Sequence, residues 1–183
     1  MVITLYLMAY LIGNIRFAYF CAYLFNLRPP HSYGSKNPGA TNISRQNKLA
    51  GLLTLILDAL KVLTSYILSI YLADENTAIW CSMLTIIGHI RPLTGHGGKG
   101  ISCWLGCLLI LSPEMAVFYL LILILFYYLF NNLGAGSLCC VSLSMFYPPH
   151  ALYDLQILAW AMVCGIILFS HRSNLKRLIN SIT

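Results

Sequence analysis

Charge is what this sequence has least of: 183 residues carry only five Asp and Glu and eleven Lys and Arg, 9% together, against 59% hydrophobic side chains. So thin a polar coat cannot clothe a water-soluble globule of this size, and lipid has to supply the missing solvent. Cysteine is present but lacks any ligand pattern. Cys21, Cys81, Cys103, Cys107, Cys139, Cys140 and Cys164 sit in apolar stretches with neither CxxC pairing nor a His at zinc-site spacing, so they read as small membrane-core residues and no metal is expected. A Walker A loop is missing too, because Leu93 and Gly100 stand where the Gly98-Lys99 pair would need a Gly before it and a Ser or Thr after it. No Ser-His-Asp grouping with linked roles occurs, which argues against a triad-activated nucleophile.

Long apolar runs are abundant. Read against helix breakers, they give seven candidate segments near 2–24, 51–71, 77–90, 100–112, 114–130, 134–147 and 155–170. The first has no basic residue before Arg16 and no small-residue cleavage site, so it reads as a retained span rather than a signal peptide. If all seven cross, Arg28, Lys36, Arg45, Lys48, Arg91, Lys99, Arg172, Lys176 and Arg177 fall on one side, whereas Asp74, Glu75, Glu114 and Asp154 fall on the other without a single cation. Positive-inside then places the cationic side in the cytoplasm, the N-terminus outside and the C-terminus inside. Segments 100–112 and 134–147 are short, so five crossings with two re-entrant segments is the alternative. The expected fold is therefore an all-α polytopic bundle forming one transmembrane domain over 1–183. Topology also accounts for the net charge of +6, which on a soluble chain would have suggested a nucleic-acid partner.

Three polar clusters lie on the cationic side. The long loop 26–50 contains Gly34-Ser35-Lys36-Asn37-Pro38-Gly39-Ala40-Thr41-Asn42 and then Arg45: glycines that let amides approach an anion, neutral donors, and a guanidinium fork suited to phosphate. A second cluster, Gly88-His89 followed by Gly95-His96-Gly97-Gly98-Lys99-Gly100, immediately precedes an apolar helix, whose N-terminal amides and dipole favour an anion. A third begins where the last run stops. On a continued helix its His171 and Asn174 share a face, with Arg177 a turn further on, a pattern that a plain basic collar on anionic lipid does not explain. Within the second run, Asp58 and Lys61 at i, i+3 read as a structural ion pair, since either charge alone in lipid is costly.

These clusters, in this order, resemble the motifs of the PlsY family of bacterial glycerol-3-phosphate acyltransferases, and Leu57-Asp58-Ala59-Leu60-Lys61 matches a further family segment. The resemblance implies a seven-helix enzyme of the bacterial inner membrane, with its site on the cytoplasmic face. It would move a fatty acyl group from acyl phosphate to glycerol 3-phosphate, giving 1-acylglycerol 3-phosphate and phosphate without a cofactor. It also implies that Ser35, Asn37, Thr41, Asn42, Arg45 and Lys99 cradle the two phosphates, that Gly39, Gly97 and Gly98 permit close backbone approach, and that His171 and Asn174 orient or deprotonate the glycerol hydroxyl. Ser35 and Lys99 count among the catalytic residues on this reading. His89, Lys36, Arg177 and Ser137 are further candidates, the last with Asn132 as the competing alignment. The sequence departs from the family pattern where Lys36 and Val62 replace glycines, where the stretch between Pro92 and Gly97 is two residues short and loses a Phe-Lys pair, and at a C-terminus lacking the usual glutamate. A transporter of a phosphorylated metabolite and a non-catalytic paralogue are the alternatives.

Overall fold

The apolar runs are helical in the structure, a computed structural model that describes residues 1–130 and 132–172. Asn174 and Arg177, both expected site residues, lie outside the described residues. Nine α-helices occur among the described residues: α1 (Val2–Gly13), α2 (Phe17–Leu24), α3 (Ala40–Ser44), α4 (Lys48–Leu72), α5 (Glu75–Ile90), α6 (Ile101–Leu111), α7 (Pro113–Phe130), α8 (Leu133–Phe146) and α9 (Leu155–Ser170), with a short 3-10 turn at Pro30–Ser32. Polar caps start several of them. Asn47 accepts from the Ala50 amide at the head of α4, Asp74 from Thr77 at α5, and Asn132 from Ala135 at α8.

Two features differ from the sequence expectation. The first run is not one continuous helix but breaks between α1 and α2, where the Asn14 amide group donates back to the Tyr10 carbonyl and the Tyr19 amide turns to Arg16. The loop 26–50 is also partly helical, through α3 and the 3-10 turn. Helix lengths vary: α4, with 25 residues, is long and apolar enough to cross a membrane, whereas α6, with 11, extends only about 16 Å at 1.5 Å per residue.

The chain divides into two compact units, Met1–Cys107 and the part from Leu108 onward. In the first, α1 and α5 pack together, α4 packs on both, and α2 and α3 pack on α4. The face of α4 turned into this unit carries Ala50, Gly51, Thr54, Asp58, Lys61, Val62, Ser65 and Ser69, while Leu52, Leu55, Ile56, Leu60, Leu63, Ile67 and Ile70 point outward. A polar interior behind an aliphatic exterior reverses the soluble pattern and is what a lipid-embedded helix requires. In the second unit, α8 packs between α7 and α9; the fully buried Trp160 donates its indole N–H to the Ser144 carbonyl at 3.0 Å and to its hydroxyl at 3.1 Å.

The α1–α5 crossing depends on two glycines. A Cβ on Gly88 would run into the Tyr10 carbonyl oxygen and stand 3.1 Å from the Gly13 Cα, so the backbones touch where small residues let helices approach. Gly88→Ala should therefore destabilise the chain by about 1–3 kcal/mol through overpacking, read as a lower melting temperature in lipid.

Candidate active site

The loop after the 3-10 turn is organised around Asn42. This side chain, 2% exposed, donates to the Pro30 carbonyl at 2.9 Å and the Tyr33 carbonyl at 3.0 Å, and its carbonyl oxygen accepts from the Ser35 amide at 2.9 Å and from an Arg45 guanidinium nitrogen at 3.4 Å. Gly34, Ser35, Asn42 and Arg45 are thus drawn into one patch, with Arg45 packed over Gly34. Asn42 holds the loop through backbone contacts, while Thr41 and Lys36 are exposed and Ser35, Asn37 and Gly39 half-buried. The Gly39 carbonyl caps α3, accepting from the amides of Asn42 and Ile43.

Lys36 has φ +58°, in the left-handed region that favours glycine. The lysine in this loop therefore carries backbone strain that glycine would relieve. Lys36→Gly should raise stability by about 1 kcal/mol, measurable as a higher melting temperature; a simultaneous rise in KM for glycerol 3-phosphate would instead assign the ammonium to the substrate.

The second cluster comes to the same place. The Gly98 amide donates to the His89 carbonyl at 3.1 Å, and a Cβ on Gly98 would lie 3.1 Å from the Pro38 carbonyl oxygen and collide with His89 Nε2. Only glycine fits between the two loops. Gly97 is similarly pressed against the carbonyls of His89 and Ile90, and half-buried Lys99 follows directly, one residue before Gly100, whose carbonyl opens α6. Neither 25–50 nor 91–100 contains an Asp or Glu. Two amide-rich loops bearing Arg45 and Lys99, with no carboxylate in either, make a patch suited to phosphate.

Beneath this patch lies a buried ionic cluster. Lys61 Nζ is 3.0 Å from Asp58 Oδ1, the pair expected from the sequence, but it is also 2.7 Å from His89 Nδ1 and 3.1 and 3.0 Å from the carbonyl oxygens of Gly13 and Ile15. His89 is 6% exposed and belongs to this cluster. Cys103 joins it by donating to the Asp58 carbonyl at 3.2 Å, and donor atoms of Asp58, His89 and Cys103 lie within 4.8 Å of one another. Sequence spacing gave no hint of this trio, since its members come from α4, α5 and α6. Lys61 already places a positive charge against two of the three, which disfavours a metal cation there.

Arg16, a cation inside the first apolar run, was not among the expected site residues. Its guanidinium lies over the Tyr19 ring at 4.9 Å and against Gly95, while Asn14 accepts from the Leu93 amide at 2.6 Å and the Tyr10 hydroxyl donates to the Arg91 carbonyl at 2.6 Å. The break in the first run therefore holds the 91–95 stretch; a lone cation and an Asn inside an apolar run were the available signals.

In the second unit, His171 ends α9 with 3% exposure and its Nδ1 is 3.0 Å from the Ile167 carbonyl oxygen. A carbonyl can only accept, so this contact puts a proton on Nδ1. Ser137 is buried and donates its hydroxyl back to the Leu133 carbonyl at 2.7 Å, whereas Asn132 serves as the α8 cap.

The family model described as glycerol-3-phosphate acyltransferase matches residues 3–181. A glycerol-3-phosphate acyltransferase of Ruthia magnifica subsp. Calyptogena magnifica is 34% identical over 98% of this chain and 93% of its own length, and one of Tolumonas auensis is 35% identical over 93% and 86%. Among solved structures, PlsY (YgiH), an integral membrane glycerol 3-phosphate acyltransferase in its glycerol 3-phosphate form, superposes with a TM-score of 0.87 at 26% identity, covering 98% of this chain and 92% of its own. With so much of its length matched in sequence and in fold, this membrane-embedded chain belongs to the glycerol-3-phosphate acyltransferase family.

Proposed function

We propose that this acyltransferase takes its acyl group from acyl phosphate and delivers it to glycerol 3-phosphate at the cytoplasmic face of the bacterial inner membrane. The glycerol hydroxyl oxygen attacks the acyl carbon, the bond from that carbon to the phosphate oxygen breaks, and 1-acylglycerol 3-phosphate and inorganic phosphate leave. The observation that carries this reading is the meeting of the Ser35–Arg45 loop with Gly97-Gly98-Lys99, where Pro38 and Gly98 touch. Both substrates bear phosphate, and a carboxylate-free pair of cationic loops suits them. Arg45 and Lys99 hold the phosphates, Ser35, Asn37 and Thr41 supply neutral donors, and Asn42 keeps the loop in shape. His171, its ring oriented by the Ile167 carbonyl, orients or deprotonates the hydroxyl; the departing phosphate is the other proton acceptor. Asn174 and Arg177 are proposed to assist it. No cofactor enters these steps.

The proposed topology keeps seven crossings with the N-terminus outside, supported by the one-sided distribution of Lys and Arg. Residues 1–183 are treated as one acyltransferase domain because the family match runs through both units. A buried charged cluster is also what a transporter would use, but Lys61 directs its three protons to fixed carbonyls and side chains, which suits a lock better than an exchanging ion.

Purified protein in lipid should release phosphate only when acyl phosphate and glycerol 3-phosphate are both present. Uptake of glycerol 3-phosphate into vesicles without acyl transfer would favour the transporter, and failure to complement a strain lacking its acyltransferase would favour the non-catalytic paralogue. Labelling of Arg45 or Lys99 from outside sealed cells would overturn the cytoplasmic site.

A further inference from the structure

Lys61 is buried inside the first unit, its ammonium taken up by protein groups, and it touches the groups that shape the second loop. Its ammonium takes the carbonyls of Gly13 and Ile15, at the break between α1 and α2, where the Tyr19 amide goes to Arg16 instead of continuing the ladder to Ile15. From that break, Asn14 grips the Leu93 amide and Tyr10 the Arg91 carbonyl. On its other side Lys61 reaches His89 Nδ1 at 2.7 Å. An ammonium can only donate, so the His89 ring carries its own proton on Nε2, the nitrogen that abuts Gly98. The His89 carbonyl meanwhile receives the Gly98 amide at 3.1 Å. Two chains of bonded groups therefore start at one buried ammonium and end at opposite ends of the 91–98 stretch.

We propose that Lys61, neutralised by Asp58 and acting through His89 and the broken first span, is a positioning residue that sets the Gly97-Gly98-Lys99 loop for glycerol 3-phosphate. This rests on the reading of that loop as a phosphate site. It differs from a plain stabilising ion pair in a measurable way. Removing both members of a buried ion pair is often neutral for stability, whereas removing one leaves an uncompensated charge. If the pair only stabilised, its joint replacement would change nothing at the substrate. If Lys61 positions the loop, the double variant folds and still binds poorly, because an apolar side chain cannot hold the Gly13 and Ile15 carbonyls or His89 Nδ1 in place.

The test uses the full chain in lipid, comparing wild type, Asp58→Leu with Lys61→Met, His89→Leu and His89→Gln. Melting temperature, calorimetric Kd for glycerol 3-phosphate, and kcat and KM for acyl transfer are measured for each. A small displacement of binding groups by a remote change can cost up to about 10²-fold, and about a tenfold rise in Kd and KM is expected in the double variant at near-normal melting temperature. His89→Leu cuts the same path and should match it, while His89→Gln retains an acceptor and a donor and should recover most of the affinity. A folded double variant with wild-type Kd and KM overturns the proposal, as does a double variant altered only in melting temperature. Should the double variant not fold, wild-type affinity in His89→Leu has the same force. Wild-type acyl transfer with unaffected variants sinks only this inference; a wild-type chain that neither binds nor acylates glycerol 3-phosphate sinks the functional reading along with it.

Discussion

Lys99→Ala should lower kcat/KM for acyl transfer by about 10²–10³-fold while leaving the melting temperature close to wild type, because removing one preorganised donor from a charge-stabilising site costs about that much. Several observations converge on this residue. Lys99 is half-buried in a loop rather than packed in a helix, so its truncation leaves no large cavity. It directly follows Gly98, which the Pro38 carbonyl and the His89 ring hold between them, so its backbone position is well determined. It also stands just ahead of α6, whose first amides add a partial positive charge on the same side. Steady-state kinetics with both substrates in lipid measures the loss; turnover near wild type would remove Lys99 from the phosphate site. Arg45 keeps its own place on the opposite loop, with one guanidinium nitrogen 3.4 Å from the Asn42 side-chain oxygen.

His171→Ala should reduce kcat by about 10²–10⁴-fold, the usual worth of a positioned general acid or base. The Ile167 carbonyl holds a proton on Nδ1 and so fixes the direction of the ring. A glutamine in its place separates the two roles left open for the imidazole. If His171 accepts the hydroxyl proton, His171→Gln is as slow as His171→Ala; if it only orients the hydroxyl while the leaving phosphate takes the proton, the amide restores a good part of kcat. Near-normal turnover in His171→Ala would exclude both roles.

Much of this was legible in the residue order. Helices α4 to α9 follow the apolar runs because a backbone in lipid has to satisfy its own hydrogen bonds, leaving helix as the available solution for runs of that length. The Asp58–Lys61 pair was legible because its members are one helical turn apart, and the two glycine-bearing loops stood out by composition, though only folding shows that Pro38 and Gly98 meet.

What the sequence determined by itself is the solvent, the helices and the residue types available to an anion. Three matters waited for the tertiary structure: the break at Asn14, the recruitment of His89 and Cys103 to the ion pair, and the left-handed strain at Lys36. Lys61 and His89 are 28 residues apart, Cys103 and Asp58 45, and Lys61 and Gly13 48. Contacts at such separations exist only once α1, α4, α5 and α6 have packed, because no local periodicity encodes which distant carbonyl a buried ammonium will find.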